Sequence, residues 1–142
     1  MARRCFIDAG PLVAFFVRRD QHHAWAISHF KALAAPLITC EAVLAEAEHI
    51  LERSESGASE NLRSFLETGA IEISFSLQEQ LAAVLKLQRR YADVPMALAD
   101  ACLVRMTELD EHASIFTTDS HFQIYRKSNR KVIPLIFPRA RQ

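Results

Sequence analysis

The chain has 142 residues, 50% of them hydrophobic and 24% charged, and its 17 basic and 17 acidic side chains cancel to zero net charge. That length makes one ordinary domain, residues 1–142, with a sizeable core, and the composition excludes a disordered chain and a coiled coil. Net neutrality alone points to no polyanionic partner. No stretch approaches the roughly 18 apolar residues of a membrane span, so neither signal peptide nor anchor is read and a cytoplasmic protein is expected.

Residues 4–8 read as a short buried strand ending at Asp8, a carboxylate set inside the otherwise apolar run CFIDAGPLVAFF. Burying a lone carboxylate is so costly that it would rather take up a proton, so Asp8 calls for an explanation. Gly10–Pro11 opens a helix, since proline is favoured in a first turn. Residues 21–34 read as helical, Pro36–Thr39 as a short strand, and 41–53 and 58–67 as helices, the second stopped by Gly69. AIEISF alternates apolar and polar residues in the manner of a strand. Residues 77–92 and 95–109 make two more helices, and SIFTT and VIPLIF close the chain as strands. Short apolar strands alternating with helices predict a parallel sheet covered on both faces. In such open sheets ligands sit beyond the carboxyl ends of the strands.

Cys5, Cys40 and Cys102 are far apart in sequence, each in an apolar stretch, and read as reduced, buried thiols and not as a disulfide or zinc framework. Charge is unevenly spread. Residues 121–142 hold Arg126, Lys127, Arg130, Lys131, Arg139 and Arg141 with no acid, leaving 11 bases against 17 acids in the first 120 residues. A basic C-terminal segment on an acidic body fits a nucleic-acid contact, although solvated charge is the commoner meaning of such a run.

Two acids stand at strand ends: Asp8 after the first strand and Asp119 after SIFTT. Asp119 also suits a helix N-cap for SHFQIY, and a cap is free to be a ligand as well. Asp100 is the only charged residue in PMALADACLV; its helical neighbours are Met96, Leu103 and Val104, while Arg105 points well away. In CEAVLAEAEHIL both Glu46 and Glu48 flank the apolar stripe of Val43, Ala47, Ile50 and Leu51, and periodicity does not choose between them. Asp93 most simply caps the helix near Pro95. His22, His23, His29, His49 and His112 read as surface or packing residues; His121 follows Asp119 and could touch a substrate, although a surface or packing role is the commoner meaning of such a histidine. Carboxylates converging in a dry pocket raise one another's pKa, and hard divalent cations with oxygen ligands, Mg²⁺ or Mn²⁺, remove that conflict. Four carboxylates balance two such ions, and sites of that kind serve in-line phosphoryl displacement.

The segments FIDAGPLVAFF, TCEAVLAEAEHIL, YADVPMALADACLV and IFTTDSHFQIYR, in that order, resemble the PIN domains, small metal-dependent ribonucleases that include the VapC-type toxins of bacterial toxin–antitoxin pairs. The resemblance implies a three-layer α/β/α sandwich around a parallel sheet of four to five strands. It implies a metal-binding quartet of Asp8, Glu46, Asp100 and Asp119, thereby selecting Glu46 over Glu48. Thr117 matches a hydroxyl often found beside the last acid, where it orients water or a carboxylate. Where many members follow the first aspartate with hydroxyl-bearing residues, this chain has Ala9–Gly10. The implied activity is a Mg²⁺- or Mn²⁺-dependent endoribonuclease, with basic-tail side chains and Arg89–Arg90 on the phosphate backbone. The implied partners are RNA, a small antitoxin and a second copy of the chain. The sequence itself marks no interface; the Trp25–Phe30 helix and the AVLKLQRRY helix are candidates, although apolar stripes at helical spacing are more often core.

A non-catalytic PIN module whose acid pocket receives a partner's arginine is the competing expectation, and the intact quartet weighs against it. A haloacid-dehalogenase-type phosphatase needs Asp-x-Asp after the first strand, where this chain has Asp8–Ala9–Gly10. A phosphate receiver needs adjacent early acids and a late strand-end lysine, and neither is evident.

Overall fold

Cys5–Ile7 forms β1, buried along its whole length as a central strand of a parallel sheet must be. A computed structural model describes residues 4–128 and 130–139. After β1 the chain runs through α1 (Ala9–Phe16) and α2 (His23–Ala32) to β2 (Leu37–Thr39), then through α3 (Glu41–Glu52) and α4 (Ala58–Glu67) to β3 (Ile71–Ile73). Helices α5 (Leu77–Arg90) and α6 (Leu98–Leu109) lead to β4 (Ser114–Phe116). A 3₁₀ turn over Ser120–Gln123 precedes β5 (Arg126–Lys127), β6 (Lys131–Val132) and β7 (Leu135–Ile136).

The main sheet has five strands in the order β3-β2-β1-β4-β7, every neighbouring pair parallel. Flanking helices complete a three-layer α/β/α arrangement, as the resemblance implies. The first two crossovers move outward from β1 to β2 to β3, and the third returns past both to place β4 on the other side of β1. The strand order therefore reverses between β1 and β4, which is where an open parallel sheet leaves a crevice beyond its carboxyl ends.

Local chemistry accounts for the helix ends. Ser76 caps α5, its Oγ accepting from the Glu79 amide at 3.2 Å, as a serine before a helix with glutamate three residues on is expected to do. Gly69 follows α4 at φ +81°, a left-handed conformation that glycine adopts without penalty, and the helix stops there. Phe15 of α1, Phe30 of α2 and Phe65 of α4 lock three helices together, with ring centroids 4.3 Å apart for Phe15–Phe30 and 5.4 Å for Phe15–Phe65. Cys5, Cys40 and Cys102 are free, buried thiols. Folding brings the Cys40 and Cys102 thiols beside each other despite their separation in sequence.

Two sequence expectations are corrected. The helix expected from residue 95 begins at Leu98, and its N-cap is Ala97 without any side-chain cap, so Asp93 lies in the preceding turn and caps nothing. Pro95 biases the residue before it toward extended backbone, which delays the helix. The single strand expected over VIPLIF is two. Lys131–Val132 pairs antiparallel with Arg126–Lys127 in a separate two-stranded sheet, and only Leu135–Ile136 joins β4. Pro134, which has no N–H to donate, divides them, while its carbonyl accepts from the Ile115 amide at 2.9 Å.

Candidate metal centre

The reversal point between β1 and β4 positions the first two candidate residues. The register pairs Ile7 with Phe116, so the next residues, Asp8 and Thr117, leave the two strands side by side. The Asp8 amide donates to the Phe116 carbonyl at 2.9 Å, which continues the sheet one step beyond β1. Asp8 then caps α1, its Oδ1 accepting from the Ala9 amide at 2.8 Å. Its Oδ2 accepts from Thr117 Oγ1 at 2.7 Å. Thr117 Oγ1 in turn accepts from the Asp119 amide at 3.0 Å, so one buried hydroxyl ties the first acid to the last. Thr117 is wholly shielded from solvent, and its hydroxyl donates to a carboxylate.

Asp119 caps the 3₁₀ turn. Its Oδ1 accepts from the His121 amide at 2.9 Å and lies 3.3 Å from His121 Nδ1, an arrangement that aims the imidazole and the carboxylate the same way. Asp100 stands in the first turn of α6, where the helix dipole favours its charge, and is 8% exposed. Tyr125 Oη lies 2.9 Å from the Pro95 carbonyl and 3.2 Å from Asp100 Oδ2. One phenolic proton thus serves two acceptors and only partly compensates the buried carboxylate.

Asp100, Asp119 and His121 each offer a ligand atom within 4.8 Å of the others. Glu46 stands with them around an open cleft of about 530 Å³, whose walls also include Tyr91 and Met96. Asp8 is 5% exposed and outside the tight trio, as is Glu46, but both act on it electrostatically. Glu48, which periodicity left level with Glu46, faces away and pairs with Arg63 at 3.6 Å.

The energetics follow from crowding like charges. Burial pushes Asp8 up to about 6, aided by the charges of Glu46 and Asp119 and opposed by the hydrogen bonds from Thr117 and Ala9. Burial likewise pushes Asp100 up to about 7, with the charges of Asp8, Asp119 and Glu46 adding to it and the Tyr125 bond opposing it. Glu46 is raised by burial and by Asp119. Among the described residues no lysine or arginine pairs with any of these four acids; Arg105 is turned to Gln80 and Glu108. The carboxylate oxygens are the donors that hard divalent ions accept, and the imidazole beside them is a softer donor.

His121 joins Asp100 and Asp119 in the group whose ligand atoms could hold a metal, a place that sequence reasoning did not assign to it. Its only signal was its place two residues after Asp119. The basic segment 121–142 is partly structural. Arg126 Nη1 donates to the carbonyls of Gln123, Ile124 and Tyr125, and Lys127 is buried with Nζ on the Glu111 carbonyl at 2.8 Å. Arg141 lies outside the described residues. No described helix is long and apolar enough to cross a membrane.

No curated protein sequence matches the chain significantly. The family model described as PIN domain, a family whose members are generally nucleases that use divalent metals, matches residues 5–128. That span runs from β1 through the acidic cleft to β5 and takes in most of the molecule, and its acids gather where the strand order reverses; the chain belongs to the PIN domain family.

Proposed function

We propose that the chain is a Mg²⁺- or Mn²⁺-dependent endoribonuclease of VapC type, the toxin of a toxin–antitoxin pair, acting in the cytoplasm as a homodimer restrained by a small antitoxin. The observation that carries the catalytic part is the convergence of Asp8, Glu46, Asp100 and Asp119 with no basic partner among the described residues, at a cost visible in the raised pKa values of Asp8, Glu46 and Asp100. Repulsion maintained in this way is released by cation binding, and a nuclease fold has a use for that cation.

Asp100, Asp119 and His121 would hold the metal, with Glu46 at the rim and Asp8 beneath. A divalent ion there supplies charge neutralisation at the phosphate and activation of water. The protein's own part is position. Thr117 fixes the Asp8 carboxylate against the Asp119 backbone, and α6 presents Asp100 from a rigid first turn. His121 is oriented by the carboxylate it sits beside. Arg89, Arg90 and the free bases of residues 121–142 would meet the phosphate backbone and make binding fall with salt.

Asp100→Asn and Asp119→Asn should keep the fold and lose RNA cleavage by about a hundredfold or more, since each removes a charge and leaves a neutral amide in its place. Calorimetric titration with Mn²⁺ should show binding to the wild type and strongly weakened binding to both. Cleavage at the wild-type rate by either variant overturns the assignment. A short open reading frame beside this one, encoding a DNA-binding antitoxin, tests the toxin role directly.

A further inference from the structure

A second, larger groove adjoins the acidic cleft. It occupies about 1260 Å³ between α2 and the strand edge at β7, and Trp25, His22, His29, Thr118, Phe137 and Arg139 contribute to its walls. Thr118 immediately precedes Asp119, so the groove opens directly beside the candidate metal centre. We infer that this groove binds the unpaired bases of a single-stranded RNA segment next to the phosphate being cut, with Trp25 as the stacking platform. The inference rests on the ribonuclease reading above.

Three observations support it. The first is the rings. Trp25 is half-buried, its inner side 5.1 Å from the buried Phe116 ring, with His29 at 5.1 Å and His22 at 6.0 Å from its centroid. Both imidazoles stand steeply to the indole, at 60° and 67°, so neither lies flat across it in the way a base would. Aromatic faces held rigid beside a backbone-binding surface are how proteins grip splayed, unpaired bases.

The second is charge. Among the described residues no carboxylate lines this groove and Arg139 does, whereas Glu46, Asp100 and Asp119 all line the neighbouring cleft. A polyanion is repelled by the unmetallated cleft and accepted by the groove, which complements a nucleic acid whose scissile phosphate alone must approach the acids. The third is size. At about 1260 Å³ the groove exceeds the roughly 300–1,000 Å³ typical of small-molecule pockets, and it suits a chain segment in place of a metabolite.

Trp25 is the only tryptophan of the chain, so its fluorescence reports the groove without a label. The full chain, held in a metal chelator so that nothing is cut, is titrated with a single-stranded oligoribonucleotide of a dozen residues and with duplex RNA of the same sequence. Expected are saturable quenching by the single strand, little by the duplex, and an affinity that falls with salt. Arg139→Ala, at an exposed position, should lower the slope of log affinity against log salt by about one. In cleavage assays Trp25→Ala should raise KM about tenfold or more, with the loss falling on KM more than on kcat. Because Trp25 packs on Phe116, its alanine variant is checked for folding by circular dichroism, and His22→Ala gives a second, milder variant with the same expected direction. RNA cleavage by the wild type together with absent quenching and an unaltered KM in Arg139→Ala and His22→Ala overturns the groove and leaves the nuclease reading standing. Quenching without cleavage in either metal overturns the nuclease reading and supports the groove. Quenching by an extended peptide but not by RNA overturns the RNA assignment.

Discussion

Asp8→Asn separates the energetic cost of the acidic site from its benefit. Burial and neighbouring charge lift the Asp8 carboxyl from its ordinary 3.8 to about 6. In the unfolded chain it ionises near its ordinary value, so between the two the native state holds a proton that the unfolded state has lost. The stability linked to that proton is fully present below pH ~4 and gone above pH ~6, and it amounts to about 3 kcal/mol. Asparagine keeps the oxygen that caps the Ala9 amide, since Asn and Asp are equivalent caps, and it removes the charge. Its second terminal atom becomes Nδ2, which donates where Oδ2 accepted, so the Thr117 hydroxyl loses its charged acceptor and accepts from the amide instead, a loss of about 1 kcal/mol. The net expectation in chelator at pH 8 is a variant more stable than wild type by about 2 kcal/mol, or roughly 5–8 °C in Tm for a chain of this size. Thermal melts followed by circular dichroism at pH 4.5 and pH 8 measure it, and the gap should close at the lower pH. Saturating Mn²⁺ should reverse the order, because only the wild type gains full ligand stabilisation by mass action. A variant that melts below wild type in chelator at pH 8, or a gap that ignores pH, would refute the claim that this carboxylate is held charged against its own preference.

Thr117→Val removes the hydroxyl that bridges Asp8 and the Asp119 amide; a loss of about 2–3 kcal/mol in chemical denaturation and a 10–100-fold weakening of Mn²⁺ binding are expected, with Thr117→Ser recovering most of both. A Cβ at Gly10 would collide with Oγ1 of Thr118, so Gly10→Ala should cost about 1–2 kcal/mol, and the double variant Gly10→Ala/Thr118→Ala should regain it in the same denaturation assay. Tyr125→Phe takes the only shared donor from Pro95 and Asp100, and should lower stability by about 1–2 kcal/mol in urea titrations at pH 7.

The sequence exposed those parts of the site that depend on local context. Asp8 and Asp119 follow apolar strands, and strand ends are where this class of sheet gathers its chemistry. Asp100 is a lone charge in an apolar helix, and a helix wheel alone makes that conspicuous. Glu46 and Glu48 were inseparable because the choice depends on which side of α3 faces α6, a property of packing and not of period. His121 entered the cluster through the 3₁₀ turn that Asp119 caps, a bend too short to leave a periodic trace. The division of VIPLIF did have a signal, since a proline inside a strand run demotes it, and the apolar character of the run masked that signal. The Trp25 groove left none, because α2 and β7 meet only after β4 has been placed between β1 and the sheet edge.

The hydrogen bond from Thr117 to Asp8 spans 109 positions of chain. Closing a connection of that length is slow, and here it is the third crossover, the one that returns past two strands, that must be completed before the bond exists. A nascent polypeptide that ends with α5 already contains Asp8 and Glu46 yet has neither Asp100 nor Asp119 to set beside them, and one that ends with α6 still lacks Asp119. Synthesis therefore assembles the site last: the acids are made early and late, and a chain still emerging from the ribosome has no complete acidic centre.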